Sequence, residues 1–141
     1  RAKLQRDYRK VANIQHDIVH KFTTRLVSDY DEIVIEDLAV KKMQMTHVAS
    51  KGLQRSLFGY FRRVLVYKAD WYGKEIILAN QFYPSTQRCS ECGHIKTGED
   101  KIGLDGNQKH KTKHNEYICY ECGAVMDRDA NAVKNLLALI V

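Results

Sequence analysis

In Cys119-Tyr-Glu-Cys122-Gly-Ala-Val-Met-Asp127-Arg128-Asp129-Ala130-Asn131 a cysteine knuckle runs directly into an acidic helix start. With Cys89-Ser-Glu-Cys92 upstream, this stretch accounts for all four cysteines of the 141-residue chain. Each Cys-x-x-Cys turn can present two thiolates to one ion without backbone strain, so the two pairs predict a single tetrahedral zinc site. Two disulfides would use the same residues, but paired knuckles in an otherwise cysteine-free chain are better explained by metal. Four thiolates leave no open coordination position, so the expected Zn2+ held by Cys89, Cys92, Cys119 and Cys122 is structural rather than catalytic.

The loop between the pairs suits a ribbon with a long hairpin tip, and residues 85–126 are expected to form a zinc ribbon insertion. This segment has almost no apolar core, so metal binding must supply much of its folding energy. His94, His110 and His114 could each replace a cysteine ligand, but four thiolates suffice and the histidines read as exposed loop residues. Lys109, Lys111 and Lys113 could touch phosphate; six acids against six bases between Thr86 and Met126 leave a solvated polar loop as the equal alternative.

Outward from the ribbon the chain reads as α/β. Residues 127–141 carry Ala130, Val133, Leu136, Leu137 and Ile140 at helical spacing, a last helix expected to pack back on a sheet. Residues 1–84 read as helix, strand, helix, strand. Val11, Ile14, Ile18, Phe22 and Leu26 recur at steps of three and four, giving an amphipathic helix that ends near Ser28. Glu32-Ile33-Val34-Ile35-Glu36-Asp37-Leu38 is a short β-branched run, expected to be a strand buried on both faces with its acids at the C-terminal end. Residues 41–51 lack periodicity and read as a loop. Leu53, Leu57, Phe61, Val64 or Leu65 and Lys68 mark a second helix, which Gly73 should stop, and residues 75–83 read as a strand ending at Pro84. The order suggests a right-handed strand–helix–strand unit.

The formal charge of +6 favours an anionic partner. Seven basic residues between Arg1 and Ser28 face two acids, and eight between Lys41 and Lys74 face Asp70 alone. Arg55, Arg62 and Arg63, near Lys51 and Lys68, form the candidate nucleic-acid face, where Tyr60, Trp71 and Tyr72 could stack on unpaired bases or equally serve as core. No apolar run is long enough to cross a bilayer and no signal-peptide core opens the chain, so no membrane partner and a cytoplasmic, in a prokaryote nucleoid-associated, protein are expected.

Glu36 at a strand end and Asp127 and Asp129 at a helix start could converge in one sheet domain, where hard oxygen donors would hold Mg2+ or Mn2+ for phosphodiester hydrolysis. The plainer reading makes Asp127 an N-cap, places Asp129 at the positive end of the helix, and leaves Glu36 an ordinary strand-end residue.

Three stretches, in order, resemble the C-terminal half of the TnpB (OrfB) family of transposon-encoded proteins, relatives of the miniature type V CRISPR nucleases. They are Asn13-Ile-Gln-His-Asp-Ile-Val-His20-Lys21, then Ile33-Val-Ile-Glu36-Asp-Leu38, then Ser85-Thr-Gln-Arg-Cys89-Ser-Glu-Cys92-Gly93 with Cys119-x-x-Cys122-Gly123 and Asp127-Arg-Asp129-Ala-Asn-Ala132. The resemblance implies a partial RNase H-like (RuvC) domain with the zinc ribbon inserted before its last helix. It implies a DNA endonuclease directed by a guide RNA against a DNA target, with no small-molecule substrate. By residue match Glu36 takes the place of the second catalytic acid, Asp129 that of the third, and Asp127 becomes the cap. The first catalytic aspartate of the family lies on an earlier strand in a Gly-Ile-Asp-like motif, and no such motif occurs in these residues. The chain by itself is therefore expected to bind zinc without cutting DNA, the missing N-terminal portion of the same protein completing the site. The competing expectations are a non-catalytic zinc-ribbon protein or accessory transposon factor that binds nucleic acid, and a purely structural module.

Overall fold

Helical periodicity carries the first element without a break. In the computed structural model, which describes residues 2–38, 57–103 and 105–140, α1 spans Ala2–Asp29. It is followed by β1 (Glu32–Glu36), α2 (Phe58–Tyr72), β2 (Glu75–Ala79), a 3-10 turn at Gly98–Asp100, β3 (Glu116–Ile118), β4 (Val125–Asp127) and α3 (Arg128–Leu137). The expected loop at 41–51 and the start of the second helix at Leu53 lie outside the described residues. The chain divides into two compact units, Arg1–Ile33 with Asp37–Ile77, and Val34–Glu36 with Leu78–Val141.

In the first unit α1 meets α2 along Val19, Thr23 and Val27, against Val64, Leu65, Lys68 and Ala69. Each buried valine or leucine contributes ~1.5–3 kcal/mol by leaving water. The stripe expected to face inward is different: Val11, Ile14, Ile18 and Phe22 each remain about half exposed. The contact line is set instead by Lys68, only 7% exposed, whose ammonium donates to the His20 carbonyl (2.6 Å), Thr24 Oγ1 (2.7 Å) and Thr23 Oγ1 (3.1 Å). A buried ammonium must find such acceptors, so the threonine face turns toward α2. Tyr60 reinforces the joint, its hydroxyl 2.9 Å from His20 Nε2 and its ring stacked on His16 at 4.2 Å. Gly73 ends α2 in the left-handed region at φ 62°, with Lys74 N–H returning to the Ala69 carbonyl.

β1 and β2 hydrogen-bond as a two-stranded sheet. The expectation of a strand buried on both faces is corrected: β1 is exposed at Glu32 and half-buried from Ile33 to Glu36. β2 also stops earlier than its apolar residues suggest. Asn80 Oδ1 accepts from Phe82 N–H (2.8 Å) and the Asn80 carbonyl from Tyr83 N–H (2.8 Å), and this local turn ends the ladder and leaves Phe82 in solvent.

In the second unit β3 and β4 pair antiparallel, with Glu116 opposite Asp127, Tyr117 opposite Met126 and Ile118 opposite Val125. Asp127 then caps α3, its Oδ1 accepting from the backbone of Asp129 (2.9 Å) and Ala130 (3.0 Å). The face that α3 buries is Asn131, Ala132 and Asn135, whereas Val133 and Leu137 are more than half exposed, contrary to the apolar packing expected. The helix lies against turn backbone that needs hydrogen-bonding partners, and asparagine supplies them where valine or leucine would not. Among the described residues no helix is long and apolar enough to cross a membrane.

Candidate metal centre

The two knuckles are built alike. Cys89 N–H donates to the His94 carbonyl (2.8 Å) and Gly93 N–H returns to the Cys89 carbonyl (2.9 Å); Cys119 N–H donates to Ala124 (2.8 Å) and Gly123 N–H to Cys119 (3.0 Å). Gly93 and Gly123 close these turns at φ 78° and 73°, a region that disfavours side chains. The result brings all four sulfurs within 4.8 Å of one another, with Cys89 Sγ 3.8 Å from Cys122 Sγ and Cys92 Sγ 3.6 Å from Cys119 Sγ. A zinc–sulfur bond of ~2.3 Å gives a tetrahedron whose edges are ~3.8 Å, so the cradle has the size of the ion. These cysteines can hold a metal ion. Among the described residues they are the one group of three or more metal-ligating side chains whose donor atoms converge.

Crowding four thiols unbalances their protonation. Burial opposes ionisation of Cys119, but the backbone N–H groups of Cys122 and Glu121 and the neighbouring thiols outweigh it and bring its pKa down to about 6. The backbone of His94 favours a thiolate at Cys92, yet burial and the hydrogen bonds of the three other cysteines push it up to about 12. A bound divalent cation favours the thiolate form of all four, so loading the site releases protons and acid opposes it.

Around the sulfurs packs a small core of Cys89, Cys119, Ile102 and Tyr117, flanked by Ala124 and Met126. Gln87 clamps Ile102 through both ends of its amide, at 2.9 Å each, and Tyr117 donates its hydroxyl to the Gln87 carbonyl (3.2 Å). Lys96 is also buried here; desolvation lowers its pKa, while the charges of Cys119, Asp100 and Cys89 pull it up. His110 stands away from the sulfurs, stacked on Tyr120 at 3.8 Å and paired to Asp100 at 2.7 Å.

The α3 asparagines fasten this module. Asn131 Oδ1 accepts from Ser90 N–H (2.9 Å) while its Nδ2 donates to the Arg88 carbonyl (2.7 Å), and Asn135 Nδ2 donates to the carbonyls of Ser85 (2.8 Å) and Arg88 (2.7 Å). Ser85 in turn donates its hydroxyl to Glu36 Oε1 at 2.6 Å. Glu36 is half-buried and oriented through Ser85 by the helix whose first turn holds Asp129. Asp129 sits in the first turn of α3 with its side chain 78% exposed, 3.4 Å from Arg128 Nε. Neither carboxylate has two further ligating groups converging on it among the described residues. Sequence reasoning quoted Ser85 and Asn131 within the resembling stretches but gave them no role, and passed over Asn135; two asparagines four apart on one helical face were the available signal.

Of the candidate nucleic-acid residues, Lys51 and Arg55 lie outside the described residues. Arg62 is half-buried and donates to Asp37 Oδ1 at 2.5 Å, and Arg63 is exposed, 6.0 Å from the Tyr60 ring centre. Trp71 and Tyr72 are exposed rather than core.

Fold and site define an α/β protein with a four-cysteine ribbon whose closing strand feeds a capped helix. Residues 58–136 match the family model described as "Cas12f1-like, TNB domain", and residues 1–46 match one described as "Probable transposase". The chain belongs to this Cas12f1-like, transposase-related family, and its resemblance to TnpB holds. It is 33% identical, over 98% of its length and 31% of the relative's, to a Streptomyces pristinaespiralis protein named "Putative RNA-guided DNA endonuclease". It is 34% identical, over 95% of its length and 24% of the relative's, to TnpB-like protein L79 of Acanthamoeba polyphaga mimivirus. Among solved structures, the cryo-EM structure of a Cas12f1–sgRNA–target DNA complex shares its fold, with a TM-score of 0.66 at 16% identity over 92% of this chain and 35% of that one. The chain spans about a third of the length of the first curated relatives it matches.

Proposed function

We propose that this chain is the C-terminal part of a transposon-associated, RNA-guided DNA endonuclease, and that it contributes two carboxylates of a RuvC-type two-metal site. The observation that carries the reading is the pair of family matches, which cover residues 1–46 and 58–136. The printed names of the relatives, and the RNA and DNA in the Cas12f1 structure, support guide RNA and target DNA as partners.

In this reading residues 1–84 and 127–141 belong to a partial RNase H-like domain and residues 85–126 to the inserted ribbon. The cysteines hold a structural zinc, which supplies folding energy rather than chemistry. Glu36 and Asp129 would hold Mg2+ or Mn2+; their oxygen donors fit a hard cation, and a third carboxylate would come from outside these 141 residues. Such ions, once bound, activate water and stabilise the leaving oxygen of a phosphodiester. Ser85 keeps Glu36 in one orientation, and Asp127, engaged as the cap, leaves Asp129 free to serve. Arg63, with Lys51, Arg55 and Arg62, binds the phosphate backbone; the exposed rings of Trp71 and Tyr72 support unpaired strands there.

The purified 141-residue chain should carry one tightly bound zinc and show no metal-dependent nicking of DNA. Nicking that Glu36→Gln abolishes would overturn the claim that its nuclease site is partial.

A further inference from the structure

Lys96 sits where the sequence suggests a solvated loop, yet it is 1% exposed and among the largest fully buried side chains described. Its ammonium donates to the Ile118 carbonyl at 2.6 Å, immediately before Cys119. It lies 3.6 Å from the ring centre of Tyr120 and 5.1 Å from that of Tyr117. Tyr117 itself packs in the cluster with Cys89 and Cys119. Among the described residues no carboxylate lies within ion-pairing distance of Lys96, although eight other side chains on this chain form such pairs as donors.

A buried ammonium with no carboxylate at ion-pairing distance is expensive, and one carbonyl, two ring faces and the more distant charge of Asp100 compensate it only in part. A divalent ion bound by four thiolates leaves two net negative charges in the same small core. Each charge answers the other, and with Lys96, Cys89 and Cys119 each only 1% exposed the solvent screens their attraction little.

We propose that Lys96 is the built-in counter-cation of the four-cysteine centre, a positioning residue that stabilises the metal-loaded state through charge. The inference rests on the zinc reading above. Tyr120 is held for this purpose: it stacks on His110, which Asp100 anchors, so the ring that carries the ammonium is fixed from the hairpin side.

The test is zinc affinity of the whole chain by chelator competition, in four proteins: native, Lys96→Met, Cys122→His and the double variant. Lys96→Met keeps the length of the side chain and removes its charge. Cys122→His keeps a tetrahedral site and removes one negative charge. The native chain must bind one zinc; if it does not, the metal reading itself fails. If it does, Lys96→Met should weaken zinc roughly 10-fold in the four-cysteine site and distinctly less in the Cys122→His site. Unchanged affinity, or the same loss in both backgrounds, would overturn the proposal. A variant that simply folds badly falls in the second class and counts against it.

Discussion

Lys68 shows how much one residue decides. Its three acceptors are a carbonyl and two hydroxyls, none of them charged, so its burial costs solvation that no opposite charge returns. Thr23 and Thr24 already donate to the carbonyls of Val19 and His20, each at 2.8 Å, and would stay satisfied without it. Lys68→Met should therefore change stability by no more than ~1 kcal/mol, whereas Lys68→Ala should cost ~2–3 kcal/mol through the cavity. The two are separable by chemical denaturation. Burial lowers the Lys68 pKa below 10.5, so between the folded and unfolded values the unfolded chain binds more protons. Stability of the native protein relative to Lys68→Met should accordingly rise as pH is raised through the lowered folded value toward the ordinary value of 10.5; a difference that falls over that interval would contradict a buried, charged Lys68. The cysteines were legible in the sequence because residue type and spacing spell out their chemistry. Lys68, Lys96, Asn131 and Asn135 were not, because a polar side chain looks like surface until the acceptor that buries it is known.

At the level of elements, the periodicity of α1 was plain but its inward face was not. Hydrophobic spacing marks the stripe from Val11 to Leu26, but the face that is buried, Val19, Thr23 and Val27, depends on what α2 brings, here a lysine in need of hydroxyls. β2 fails similarly: the apolar residues run on through Phe82, but the side chain of Asn80 offers the backbone a turn that outcompetes the strand. The ribbon hairpin depends on Gly106. Its φ is 92°, it bridges Gly103, and a Cβ there would lie 2.1 Å from the Thr112 carbonyl oxygen. Asn107 locks the adjoining turn by donating to the carbonyls of Glu99 and Lys101, so the backbone has little room to yield. Gly106→Ala should destabilise the metal-loaded chain by about 2 kcal/mol or more in a denaturant titration. A change below about 0.5 kcal/mol would show that the hairpin relaxes freely.

For the whole molecule, a chain that spans about a third of its curated relatives carries a four-cysteine ribbon, and among the described residues neither Glu36 nor Asp129 belongs to a converging set of three metal-ligating groups. The ribbon's strand β4 ends at Asp127, the residue that caps α3, so folding of the ribbon places the helix whose first turn holds Asp129. The same helix, through Asn135 and Ser85, orients Glu36. The four-cysteine site and the proposed catalytic acids are thereby coupled through one hydrogen-bonded network. If the chain is the C-terminal part of an RNA-guided endonuclease, as proposed, the most direct measurement is cleavage of target DNA by the longer protein loaded with guide RNA. Asp129→Ala should lower the cleavage rate by about a hundredfold or more with target binding retained; an Asp129→Ala protein that cuts as fast as the native one would contradict the account.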